Sequence, residues 1–138
     1  MEDYSAFAPH TLGATAARAA EALLRSLGDG KVTLRILLPE GAAGGGLGLA
    51  APQTEEVELW PAMVRLVAPG EDGGARYEVA IAGSSVVEEA EKRNHESADE
   101  FLAAALGVVL GEKLLRIVNA TPHSCGGKVY LYRLEARG

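Results

Sequence analysis

Cysteine, aromatic side chains and positive charge are all scarce in this 138-residue chain. Cys125 is the only cysteine, which excludes an intrachain disulfide and any cysteine-rich zinc site. Lys and Arg number 13 against 19 Asp and Glu, a formal charge of −6. That balance excludes a uniformly basic nucleic-acid binder, because phosphate affinity needs concentrated cations. No apolar run approaches the roughly 20 residues of a membrane span. The opening MEDYSAFAPH is acidic where a secretory leader has a positive start and an apolar stretch, so a cytosolic product is expected. Apolar residues at 48% and charged residues at 23% are the mix of a globular protein. At roughly 100 to 200 residues per domain, the length gives one domain over residues 1–138.

Residues 11–27, TLGATAARAAEALLRSL, place Ala16, Ala20, Leu23, Leu24 and Leu27 on one helical stripe, with Arg18, Glu21 and Arg25 opposite. Thr11 or Thr15 serves as N-cap, and Gly28, Asp29 and Gly30 stop the helix. The period then changes to two. In KVTLRILL, 31–38, Val32, Leu34, Ile36 and Leu38 form one face of a strand. Residues 40–54, EGAAGGGLGLAAPQT, contain five glycines and no periodicity, the composition of a mobile loop. EEVELWPAMVRLV, 55–67, reads as a strand bent at Pro61, and RYEVAIA, 76–82, pairs with it as a hairpin.

Residues 86–96 form a charge run, the composition of a solvated helix face. Ser97 and Glu100 before Phe101 and Leu102 make a capping box for a helix over about 98–106, stopped by Gly107. GVVLGEKLLRIVNA and GGKVYLYRLEARG follow as two strands joined by TPHSCGG. The expected class is α+β: five or six antiparallel strands in a small barrel or sandwich, with the N-terminal amphipathic helix outside and one helix inserted between strands.

Reactive groupings are few. His123 and Cys125 could ligate a metal or pair as nucleophile and base. A zinc site needs three or four ligands, however, and His10 and His95 lie in other segments. Gly44, Gly45, Gly46 and Gly48 lead into a strand rather than a helix, so no phosphate loop is formed. Glu88, Glu89, Glu91 and Glu96 have Lys92 and Arg93 beside them for local pairing. The expectation is no catalytic residue, no cofactor and no metal. Function then rests on contacts between surfaces, and Leu37, Leu49, Trp60 and Met63 are the candidate contact residues, apolar and off the inferred core phase or in the loop.

The order VTLRILLP, long loop, EEVELWPAMVRLV, RYEVAIA, capped helix, GEKLLRIVNA and GGKVYLYRLEARG resembles the small head-tail connector proteins of tailed bacteriophages, their head-completion or stopper subunits. The likeness spans about residues 31–138 and rests on element order with the stretches LWPAMVRL and GEKLLRIV. It implies a non-enzymatic ring of identical subunits between portal and tail proteins. It also implies a chain in the cytoplasm until assembly and in a virion or phage-like neck afterwards, with no membrane and no sequence-specific nucleic acid. Gly44, Gly45, Gly46 and Gly48 take the place of the loop that such proteins extend toward the DNA channel. Two other readings stand beside it. One is a ligand-binding barrel using Trp60, Tyr130 and Tyr132; the other is an enzyme using the glutamate-rich segment and His95.

Overall fold

The computed structural model describes residues 9–27, 30–38, 53–70 and 74–138. The Gly-rich segment lies almost entirely outside them, as do Leu49, Gly44, Gly45, Gly46 and Gly48. The chain runs α1 (Pro9–Ser26), β1 (Val32–Leu37), β2 (Thr54–Leu59), β3 (Ala62–Ala68), β4 (Arg76–Ala82), α2 (Gly83–Lys92), α3 (Ala98–Ala103), β5 (Ala105–Leu110), β6 (Lys113–Cys125) and β7 (Lys128–Arg137). The class is α+β, as expected, with a barrel-like antiparallel sheet of seven strands where five or six were expected.

The sheet order is β2-β1-β5-β6-β7-β4-β3. β2 and β3 are separated only by Trp60 and Pro61, joined by a cis peptide, yet they occupy opposite ends of that order. The sheet therefore curls until its two ends approach. They meet at Gly30, whose carbonyl accepts the Ala62 N–H at 3.0 Å. A Cβ on Gly30 would stand 2.2 Å from the Ala62 carbonyl oxygen, so this closure needs glycine for its lack of a side chain. The bend expected at Pro61 is thus a complete change of sheet edge.

The inner face of the curl carries Val32, Leu34, Ile36, Val57, Leu59, Val79, Ile81, Val108, Leu115, Tyr132 and Leu134, all buried in one core. α2 and α3 fill the open side and contribute Val86, Ala90, Phe101 and Leu102 to that core. Gly83 lets α2 start hard against β7, where a Cβ would lie 2.2 Å from the Val129 carbonyl oxygen. The expected capping box is present: Ser97 Oγ accepts the Glu100 N–H at 3.1 Å, and Glu100 accepts the Glu96 N–H at 2.8 Å.

Several boundaries differ from expectation. The charge run from Glu88 is the outer face of a second inserted helix, α2, whose buried positions Gly83, Val86 and Ala90 follow i, i+3, i+7 spacing. α3 ends at Ala103, and Gly107 lies within β5 rather than stopping a helix. GVVLGEKLLRIVNA is not one strand but a hairpin that turns at Gly111, φ 62°, and Glu112. Residues of TPHSC continue β6, and only Gly126 and Gly127, both at positive φ, make the following turn.

α1 begins earlier, at Pro9, where a missing N–H costs nothing in the first helical turn. It lies on the outer sheet face, with Leu24 packed on Ala80, Ala82, Met63 and Leu131. The buried stripe is Gly13, Ala17 and Leu24, which shares only Leu24 with the expected one; Ala16 and Ala20 are half-buried, and Leu23 and Leu27 are 63% and 59% exposed. Glu21 also faces inward, accepting a hydrogen bond from the Ser84 hydroxyl at the start of α2.

Candidate interaction surfaces

Curling divides the outside of the molecule into three regions. One half of the outer sheet face is covered by α1. The other half, on β3, β4, β7 and β6, carries Arg65, Arg76, Arg116, Arg133 and Arg137. Register unites these dispersed residues: Arg116 lies opposite Arg137, Arg137 opposite Arg76, and Arg65 opposite Glu78. The residues flanking Arg116, Arg133 and Arg137, namely Leu115, Tyr132, Leu134 and Ala136, are buried, so strand alternation sends these arginines outward, and register carries Arg76 and Arg65 to the same face.

Among the described residues two carboxylates serve this face, and each is shared. Glu78 pairs with Arg65 at 2.9 Å and Arg133 at 3.3 Å, and Glu135 with Arg76 at 4.0 Å and Arg137 at 3.9 Å. Arg116 is exposed and forms no ion pair with any described residue. Arg137 Nε is buried without an acceptor. Among the described residues, five guanidinium groups over two carboxylates give this face a local charge of 5 − 2 = +3, in a chain whose total is −6. Like charges directly opposite each other across strands oppose sheet formation, so this row is costly unless acceptors meet it.

The helical side has the reverse sign. Residues 83–104 hold six carboxylates, Glu88, Glu89, Glu91, Glu96, Asp99 and Glu100, against Lys92 and Arg93. Arg93 is the inward anchor: its guanidinium donates to Glu55 at 2.8 and 3.3 Å and to Glu89, tying α2 to β2. Burial alone would lower its pKa, but its hydrogen bonds to Glu55 and Glu89, with their charges, outweigh that and raise it, so the group stays charged. Glu91, Glu96 and Asp99 are exposed and form no ion pair with any described residue. Burial, and then the nearby Asp99 charge, raise the Tyr132 hydroxyl above its ordinary pKa, so it stays neutral beneath this layer.

The third region is apolar. Trp60, 47% exposed, stands at the corner between β2 and β3, with the Arg25 guanidinium 4.6 Å from its ring centroid. Leu23 and Leu27 flank Arg25 in α1. β3, which starts just beyond Trp60, is an edge strand, and its Leu66 and Val67 are 54% and 43% exposed. Of the other contact candidates, Leu37 is 39% exposed, while Met63 is half-buried under α1.

The remaining candidates are dispersed. Trp60, Tyr130 and Tyr132 do not share a pocket: Trp60 lies beside Arg25, Tyr130 beside His123 with ring centroids 6.3 Å apart, and Tyr132 in the core. His123 and Cys125 lie on β6, with a register shift following His123, and His123 Nε2 is buried without a partner. His95 and Glu100 are brought together, Nδ1 to Oε1 at 3.6 Å, with the imidazole edge-on to Phe101 at the α2–α3 junction. Among the described residues no group of three or more His, Cys, Asp or Glu side chains is placed to hold a metal ion. No described helix is long and apolar enough to cross a membrane.

Trp60 and Leu37, picked from the sequence as apolar and off the core phase, are exposed, and the 86–96 charge run was legible as a solvated helix face, but the arginine surface was not. The contact criterion was apolarity, and the arginine row becomes visible only through strand register. No protein-family model matches this chain, no curated protein matches its sequence, and no solved structure matches it.

Proposed function

We propose that this chain is a non-enzymatic structural subunit that works as an assembly of identical copies, of the kind that connector proteins form at the neck of tailed phages. The observation that carries this reading is the edge strand β3, paired along one side with β4 and, among the described residues, not with another strand beyond Ala62 on the other, with Leu66 and Val67 exposed along it and Trp60 just before its start. An edge strand offers a row of unpaired N–H and C=O groups. Natural sheets protect such edges with charge, proline or covering elements unless another chain is to meet them. A large aromatic ring beside an apolar edge is also the composition favoured at the centre of protein interfaces. The barrel-like antiparallel sheet supports the connector setting, in which copies repeat about an axis and close into a ring. Portal and tail proteins are the neighbours this setting implies, and a virion neck is its location.

Electron microscopy of the purified chain tests the assembly, with rings of uniform diameter expected. Replacing Leu66 by Glu should disperse them into monomers of 14.4 kDa. A chain that stays monomeric at high concentration and in the presence of its neighbouring portal protein contradicts the reading. Particles whose necks contain no copy of the chain contradict its connector setting.

A further inference from the structure

We infer that the arginine face of one copy docks on the acidic α2–α3 layer of the next copy, so that the subunits join head to tail. The inference deepens the assembly reading and rests on it.

Arg116, Arg137 and Arg76 lie in one cross-strand row, and the nearest carboxylate, Glu135, is divided between two of them. Arg116 is left without an ion pair among the described residues, and Arg137 shares Glu135 with Arg76. A planar guanidinium with five donors is matched best by carboxylate or phosphate oxygens. The face thus calls for acidic acceptors from outside the molecule.

The same chain supplies them on its opposite side. α2 and α3 pack on the inner face of the curled sheet, so their exposed carboxylates point away from the arginines. Glu91, Glu96 and Asp99 lack ion pairs among the described residues, and Glu88 is 68% exposed. Val87, 40% exposed beside Glu88, and Leu114, 41% exposed two residues before Arg116, add an apolar contribution to each side. Complementary potentials of this kind set register and speed encounter.

A second copy fits better than a phosphate polymer. A polyanion could meet only the arginine face and would leave the acidic α2–α3 layer unmatched on a chain of net charge −6. A second copy neutralises both surfaces at once. Because the two surfaces differ and lie on opposite sides, the contact is heterologous, the type that makes rings when its rotation closes.

Mixing charge-reversed chains tests this. One variant carries Arg76→Glu and Arg116→Glu; the other carries Glu88→Lys and Glu91→Lys. Each is checked for an intact fold by circular dichroism and measured by sedimentation velocity at about 0.1 M salt, where the screening length is about 10 Å. The parent should form its large assembly, and each variant alone should be monomeric, its association weakened at least tenfold. A one-to-one mixture should regain assemblies larger than dimers in which the two chains alternate, because the reversed face of one meets the reversed layer of the other and the two unmodified surfaces meet as well. Combining all four substitutions in one chain should restore the large assembly.

Variants that assemble like the parent would overturn the docking and leave the assembly reading standing. A mixture that stays monomeric would overturn it as well. A parent that is monomeric at every concentration would end both. If the parent is monomeric and binds a labelled DNA duplex that the arginine variant releases, the face is a nucleic-acid surface and the inference fails.

Discussion

The two sides of the curled sheet are held by different physics. On the inner side, α2 and α3 are fixed by apolar burial: Val86 and Phe101 are fully buried, and Arg93 with Glu55 is the one polar anchor described above. On the outer side beyond α1, the residues form exposed ion pairs, each worth about 0–1 kcal/mol. Stability therefore comes from the inner side, while the outer side contributes little to folding and is free to be chosen for contact. A total charge of −6 conceals this division, since opposite signs on opposite sides cancel in the sum.

The largest effect expected is on the inner side. Phe101→Ala should cost about 3–5 kcal/mol, because it empties a fully buried site between the helices and the sheet. Thermal unfolding read by circular dichroism checks this, and a cost below about 1 kcal/mol would mean that α3 is not part of the core. Gly83→Ala should cost about 1–3 kcal/mol, since the added Cβ meets the β7 backbone at 2.2 Å. Ser97→Ala, which removes the N-cap of α3, should cost about 1 kcal/mol in urea unfolding.

Tyr132→Phe separates the sides by pH. The Tyr132 pKa is raised in the folded state, so its contribution to stability is complete below its ordinary value of 10.0 and is lost as pH rises through the raised value. The Phe variant should lose less stability than the parent above that pH, and an equal loss would show that Tyr132 ionises freely. The smallest effect is on the outer side: Arg116→Ala should change stability by no more than about 0.5 kcal/mol.

Much of the fold was legible because periodicity reports burial directly. β1 alternates cleanly in burial, β4 alternates in sequence although α1 also buries its outer Ala80 and Ala82, and the capping box at Ser97 and Glu100 marked α3. The helix α1 was found, but its phase was misread from residue size. Its neighbours on the sheet are Ala80 and Ala82, and Gly13 lies so close to β6 and β7 that a Cβ would stand 2.8 Å from the Cys125 carbonyl oxygen. Small residues therefore face inward, and Leu23 and Leu27 are left outside.

α2 was hidden by its charges, although Gly83, Val86 and Ala90 already carried the helical spacing. Pro122 read as a loop signal but lies in β6. The ladder from β5 ends at Leu115, so that edge of β6 is free at Pro122 and needs no N–H donor there. The contact surfaces were least legible. Arg65, Arg76, Arg116, Arg133 and Arg137 span more than half the chain, and only the pairing of four strands brings them together.

Sedimentation equilibrium of the unmodified chain across a salt series tests most directly whether opposed charges join its copies. The account predicts large discrete assemblies at about 0.1 M salt that dissociate toward monomers near 1 M, where the screening length falls to about 3 Å. A mass that stays the same across the series would contradict it.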